Sequence, residues 1–244
     1  MKHTEYLEWD WVSWVEEWLD TEEEPKSLHV FQETKINMHH FSGLSIHGCL
    51  GASNLCRREC YDARGVKVKI GGLRVMKKAA LYTYLAYKNP EELEKRIKRD
   101  LFYCTELVRV HVGGDFVSPD HIRVWQRIAR ETPTKKFFAY TRSWRHAEMI
   151  EELNILNNES NFRVYCSVDA ETGLPQKGDM PIAQMSHVYN VKSIECPEQK
   201  REGVTCATCQ ICTKPNSPNL IFHMHGGGRN LKKDQEGVKQ PLLR

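Results

Sequence analysis

The sequence has no run of 18 apolar residues, which excludes a helical membrane span. It also lacks a basic-then-apolar leader. The first 24 residues hold nine acids against Lys2 alone and are rich in Trp, the reverse of a secretory signal or a transit peptide. A cytoplasmic location with no membrane partner is therefore expected. Internal repeats and low-complexity tracts are missing, so the chain does not read as a solenoid or a linker. No complete dinucleotide or Walker fingerprint occurs. The nearest approach is "HMHGGGRN", where three glycines after His223 and His225 either let a backbone approach an adenine or phosphate or serve as a plain exit to the tail.

What is present is an ordinary globular balance over 244 residues, 40% hydrophobic and 27% charged, with a formal charge of +3. That length suits one α/β barrel of roughly 200–250 residues. The charge is uneven: the first 24 residues carry −8, leaving +11 on the remainder. Leu7, Trp11, Trp14 and Trp18 fall on one helical face, which predicts an acidic amphipathic helix packed on the body and ended by Pro25, with Trp9 off the stripe. Apolar, β-rich runs follow at 36–41, 107–112, 136–141, 162–168, 187–191 and 220–224. Helical patterns separate most of them. One spans 73–87, and Asn89-Pro90 opens the next. Ser118-Pro119-Asp120 opens a third, with Ile122, Trp125 and Ile128 on one face. Ser143 is expected to cap a fourth, from 144 to about 156. Strands alternating with helices predict parallel βαβ units, either a partial barrel or an open doubly wound sheet.

The nine cysteines are an odd number, and in a reducing compartment such a set points to metal binding or catalysis before disulfides. Cys104, on a helix face, and Cys166, in a strand, read as buried small hydrophobes. Cys49, Cys56 and Cys60 form a Cys-x6-Cys-x3-Cys loop after the first strand. Three thiolates hold three irons of a 4Fe–4S cluster and leave the fourth open, unless His47 or another neighbour closes the site as a structural centre. Cys206, Cys209 and Cys212 form a Cys-x2-Cys-x2-Cys run with Cys196-Pro197 upstream. Ferredoxin-type clusters use that spacing, and it is favoured over a zinc site, which usually comes as two separate knuckles.

These residues resemble the radical S-adenosylmethionine superfamily, in which a three-cysteine loop follows the first strand of a partial (βα)6 barrel. The resemblance implies that Cys49, Cys56 and Cys60 hold a 4Fe–4S cluster binding S-adenosylmethionine, and that Gly113-Gly114-Asp115 after "RVHV" contacts the methionyl amine. It also implies that Arg142 in "FFAYTRSW" and Ser167 and Asp169 in "FRVYCSVD" lie at the cofactor. His111 and Asp115 are the candidate catalytic groups. More narrowly, "CLGASNLCRRECYDARG", "RVHVGGDF", "FFAYTRSW" and "TCATCQIC" together resemble the phage gene product 88 family, across roughly residues 36–225. That would place the protein in the host cytoplasm. The chain departs from the superfamily in its cysteine spacing, in Tyr61 following the last cysteine of the trio, and in an aspartate where glutamate is usual.

The expectation is thus an α/β protein of four parts: an acidic helix over 1–25, a βα-barrel core over 26–195, a cysteine-rich metal-binding insertion over 196–218, and a last strand, glycine turn and basic tail over 219–244. Its expected activity is reductive cleavage of S-adenosylmethionine with one or two 4Fe–4S clusters, an electron donor and an unknown substrate. Zinc is the alternative at Cys196, Cys206, Cys209 and Cys212. Alternation puts Arg109, His111 and Gly113 on one face, towards the pocket. A second reading comes from the stretch 56–78, where eight Lys and Arg face only Glu59 and Asp62. It predicts an iron–sulfur or zinc binding module that holds nucleic acid or a host protein and performs no catalysis.

Overall fold

The computed structural model describes residues 6, 8–21, 28–33, 38–60, 62–63, 72–176 and 180–223. Its centre is a sheet of eight strands. β1 (Gln32–Glu33) runs antiparallel to β2 (His39–Phe41), and every other pairing is parallel. The parallel series continues through β3 (Leu107–Val110), β4 (Lys136–Thr141), β5 (Phe162–Val168), β6 (Ile182–Met185), β7 (Ser193–Glu195) and β8 (Asn219–Phe222). The spatial order is β1-β2-β3-β4-β5-β6-β8-β7. From β2 to β6 the strands follow chain order with no reversal, so the switch point of a doubly wound sheet does not occur among them. The fold is mixed α/β around a mostly parallel sheet of eight strands, two more than the sequence predicts.

Helices α1 (Trp11–Thr21), α2 (Asn54–Arg58), α3 (Gly72–Lys88), α4 (Pro90–Leu101), α5 (Pro119–Glu131) and α6 (Ala147–Asn157) precede or link the early strands. The starts of α4 and α5 follow the sequence closely. The Asn89 side chain accepts from Glu92 N and the Ser118 hydroxyl from His121 N, each with Pro in the first turn. Ile122, Trp125 and Ile128 are fully buried against Val108, Phe137, Phe162 and Val164. The α6 start differs. Ser143 and Trp144 lie in a 3-10 turn (Ser143–Arg145), and Ser143 Oγ donates to Phe116 O at 2.7 Å, so this serine ties two strand ends together and caps no helix. On α1, Trp18 is buried and Lys77 lies over its ring, so the stripe packs on the body as expected. Trp9, off the stripe, is half-buried and meets Tyr6, Trp14 and His47.

Two layers flank the sheet. Val108, Val110, Phe137, Ala139, Phe162, Val164 and Val168 face the helices, whereas Leu107, Phe138 and Tyr165 point to the other side. That second face is concave. Tyr140 and Phe222 lie on strands three positions apart, roughly 14 Å in a flat sheet, yet their ring centroids are 5.0 Å apart. The concave face is covered by the β7–β8 connection, which contains α7 (Pro197–Lys200), α8 (Cys206–Cys209) and a 3-10 turn (Ile211–Thr213). Topology explains its side. Right-handed crossovers put α5 and α6 on one face while the strand order advances. From β7 to β8 the order steps backwards, so a right-handed crossover must pass over the opposite face.

Three expectations fail here. The run 187–191 is irregular, and the strand lies earlier, at β6, with a further short one at β7. Gln184 masks β6 in the sequence. It is buried because its amide donates to Ser193 Oγ and accepts from Tyr189 N. Cys104 lies past the end of α4, in the turn to β3, and donates to Asp100 O. The strand over 107–112 stops at Val110 because His111 adopts φ +63°. Cys104 and Cys166 are buried, and burial pushes both thiols up to about 12. The basic tail and His225 lie outside the described residues.

Candidate functional site

The first cysteine group sits at the carboxyl ends of the parallel strands, where α/β proteins build their sites. After β2 the chain turns through 42–53 into α2, and this loop is fastened to three strand ends. Gly43 N donates to Gly113 O beyond β3 at 2.8 Å. Gly51 lies so close to the carbonyl of Arg142 beyond β4 that a Cβ would collide with it, and Arg145 Nη1 donates to Gly51 O at 2.8 Å. Ser53 Oγ donates to Asp169 Oδ2 beyond β5 at 2.6 Å and accepts Cys56 N at 3.0 Å, while Leu55 N donates to Glu171. Sequence reasoning missed Ser53, although Ser53-x-x-Cys56 is the spacing of a helix cap.

Cys49, Cys56 and Cys60 are thereby brought together. Burial raises the Cys49 thiol well above its ordinary value, and Asp115, Cys56 and Cys60 add to this. Burial also raises Cys56, with the Arg142 guanidinium opposing it. Arg142 Nη2 donates to the fully buried Asp169 at 3.0 Å, whereas Arg142 Nε is buried and meets no partner among the described residues. Burial pushes Asp169 up, but bonds from Ser53, the Glu171 amide and Arg142 outweigh it and hold the carboxyl below its usual range. Ser167 lies one turn of the pleat before this cluster, and its carbonyl accepts Trp144 Nε1.

Gly113 is close-packed for a reason. A Cβ there would strike the carboxylate of Asp62, which is hydrogen-bonded to Ser45 and belongs to the cysteine loop itself. Gly114 takes φ +75° with its Cα against the Gly43 backbone. Asp115 does not present a free carboxylate. Its oxygens accept Thr141 Oγ1 at 2.6 Å, Arg142 N at 2.7 Å and Phe116 N at 2.8 Å, and burial still raises its carboxyl above the ordinary value. It fixes the turn that presents Arg142. His111 is corrected more sharply. Its positive φ breaks the alternation and swings the ring to the helix side, onto Phe41, Phe116 and His121, so it does not share the face of Arg109. His47 bonds the backbone carbonyl of Tyr6 through Nε2, and Tyr6 OH donates to Ser45 O, so the N-terminal segment covers this loop.

The second group lies on the concave face. Cys196, Cys206, Cys209 and Cys212 all line one cavity of about 20 Å³, walled by Leu107, Phe138 and Ile211. Thr205 and Thr208 cap α8 reciprocally, and Gln210 turns through φ 48° to bring Cys212 back beside Cys206. Tyr140 OH and Cys212 Sγ are hydrogen-bonded at 3.0 Å. Arg109 lies over the Tyr140 ring. Burial raises Cys212 to about 12 and Cys206 to about 11, the latter opposed by Arg109. Among the described residues, no three His, Cys, Asp or Glu side chains form a group that could hold a metal ion. No helix among them is long and apolar enough to cross a membrane.

The basic stretch is partly described. Arg57 donates to Cys49 O, Arg58 pairs with Glu59, and Lys78 donates to Phe31 O, so these cations serve the fold, whereas Arg64, Lys67 and Lys69 lie outside the described residues.

A family model described as "Gene product 88" matches residues 17–215, a span that includes both cysteine groups. The chain belongs to the gene product 88 family. Among its relatives is the Gene 88 protein of Mycobacterium phage L5, 24% identical over 199 residues, covering 71% of this chain and 81% of that protein. The Gene 88 protein of Mycobacterium phage D29 is 24% identical over 190 residues, covering 67% and 77%. No solved structure matches the chain. The family tie is thus to phage proteins whose names state no activity.

Proposed function

We propose that this gene product 88 relative is an iron–sulfur enzyme of the radical S-adenosylmethionine kind, with β2, β3, β4, β5, β6 and β8 as a partial (βα)6 barrel. The observation that carries the reading is the placement of Cys49, Cys56 and Cys60 in one loop at the carboxyl ends of a concave parallel sheet, near enough for Cys56 and Cys60 to raise the Cys49 thiol. Three thiols suit a 4Fe–4S cluster with one iron left for an outside ligand. The buried Arg142 Nε, which donates to nothing described, suits a carboxylate or another anion beside them. When bound, such a cluster supplies one electron to the sulfonium of S-adenosylmethionine, splitting it into methionine and a 5′-deoxyadenosyl radical that takes a hydrogen atom from substrate.

The chain's own residues divide the remaining work. Arg142, held by Asp115 below and Asp169 beside it, orients the methionyl carboxylate. Gly113 and Gly114 let Asp62 and the Gly43 backbone pack against the β3 end and so seat the cysteine loop there. Ser167 lines the floor of the mouth. Tyr6, Trp9 and His47 cover the cysteine loop and exclude water from it. Asp115 acts through the turn it fixes.

The test is an electron paramagnetic resonance spectrum of anaerobically reconstituted, dithionite-reduced protein with and without S-adenosylmethionine. A 4Fe–4S signal that changes on adding S-adenosylmethionine, and that Cys56→Ser/Cys60→Ser abolishes, is expected. A signal indifferent to S-adenosylmethionine overturns the enzyme and leaves a binding module.

A further inference from the structure

We propose that Cys196, Cys206, Cys209 and Cys212 hold a single tetrahedral zinc ion, which pins the β7–β8 crossover to the concave face of the sheet. The proposal concerns a different site from the one above and does not depend on it. Spacing alone favours an iron–sulfur cluster for a Cys-x2-Cys-x2-Cys run, because such runs rarely form zinc knuckles. The packing reverses that preference.

The first reason is space. The cavity that the four cysteines line, with Leu107, Phe138 and Ile211 among its walls, is about 20 Å³, room for one atom-sized guest. Four irons and four sulfides need several times that. Leu107 and Phe138 are buried strand residues, and Cys212 is held at 3.0 Å by Tyr140. The second reason is the backbone. Cys206 and Cys209 stand on one turn of helix, and the left-handed Gln210 reverses the chain so that Cys212 faces the same cavity. The run is thus folded into a knuckle, with Cys196, at the end of β7, facing it from across the cavity as the fourth ligand. With all four cysteines as ligands the protein would fill every position of a tetrahedron, the mark of a structural zinc.

The third reason is charge. Four thiolates around Zn²⁺ leave a net −2, and the surroundings answer it. Arg109 stands beside Cys206, Tyr140 OH bonds Cys212, and the amides of Glu198 and Gln199 point at Cys196. Zinc binding would release the protons of the four thiols and exchange them for one satisfied centre. Cys206, Ile211 and Cys212 are the crossover's members of the apolar cluster with Met38, Leu107, Phe138 and Tyr165, and Gln210 accepts from Lys136 Nζ on β4 at 3.2 Å. Two of those three are the ligands themselves, so the ion is the clasp of this layer.

The experiment counts metal and acid-labile sulfide in the full-length Cys49→Ser/Cys56→Ser/Cys60→Ser protein, expressed with both iron and zinc and purified without oxygen. One zinc per chain, no sulfide, and tetrahedral thiolate bands on exchange with Co²⁺ are expected. An iron–sulfur chromophore in that variant, or neither metal, overturns the proposal. If the triple variant does not fold, the wild type is compared with Cys206→Ser/Cys209→Ser. Loss of one zinc per chain with unchanged sulfide and a lowered melting temperature is expected, and loss of iron and sulfide overturns the proposal. Failure of the S-adenosylmethionine reading leaves the zinc count untouched, so the two are separable.

Discussion

Cys49, Cys56 and Cys60 stand among charges at the strand ends, whereas Cys196, Cys206, Cys209 and Cys212 are walled by Leu107, Phe138 and Ile211 on the concave face. The first group has three thiols, a buried arginine with a spare donor, and a loop tied to its surroundings by hydrogen bonds to three different strands. The second has four thiols lining one small cavity and is tied by apolar contact and by the bonds of Tyr140 to Cys212 and Lys136 to Gln210. A site that must admit an outside ligand keeps polar groups unspent. A site that only has to hold closes its coordination shell and buries it. The same element supplies both designs, since the cysteine layout differs less than the neighbours do.

The largest expected effect that would break this contrast is at Asp169. Asp169→Ala removes the acceptor of Ser53 and leaves the Arg142 charge buried without its partner, a loss of about 3–5 kcal/mol. Urea unfolding followed by circular dichroism should show the midpoint fall; an unchanged midpoint would mean that the loop is not held through this carboxylate.

Paired glycine substitutions sharpen the comparison. Gly51→Ala forces a Cβ into the Arg142 carbonyl, which is backbone and cannot move aside, and should cost about 1–3 kcal/mol and the ordering of the first loop. Gly203→Ala, between Cys196 and Cys206, meets open space and carries only the strain of φ +76°, about 1–2 kcal/mol. Hydrogen exchange should report lost protection at 49–60 in the first variant and at 197–212 in the second. Loss in both regions from either change would show that the two layers are mechanically one.

The smallest effect calibrates the acid response of the scaffold away from both groups. His121 is buried on the helix side and burial lowers its ring to about 3, from 6.5. The unfolded chain takes the proton first, so stability is full above the unfolded value and falls as pH drops towards about 3. The slope is at most about 1.4 kcal/mol per pH unit. His121→Phe should flatten that stretch of the pH–stability curve measured by thermal melting; an unaltered slope would place the acid sensitivity elsewhere.

Much of the scaffold was legible. The cap of α5 at Ser118, the strands β4 and β5 to the residue, and the packing of the tryptophan helix all follow from capping chemistry and periodicity. β6 was not, because Gln184 reads as polar until its partners on Tyr189 and Ser193 are seen. The face of His111 was not either, because alternation assumes an extended backbone and one left-handed residue breaks it. Asp115 looked like a ligand group because Gly113-Gly114-Asp115 resembles the superfamily's motif at the end of its second strand; only the three donors converging on it reveal a positioning role.

By itself, the sequence determined the local pieces: which stretches are helix or strand, that seven cysteines form two groups, and that a three-cysteine loop follows the first parallel strand. These depend on periods of a few residues and on side chains that act within one turn. The tertiary structure decided which face each group occupies. The backward step from β7 to β8 sends the second cysteine group over the concave face, because a right-handed crossover has no other side to take. It also decided what surrounds the thiols, since their cavity is walled by Leu107 and Phe138 and Cys212 is tied to Tyr140, residues from strands far from the cysteines in the chain.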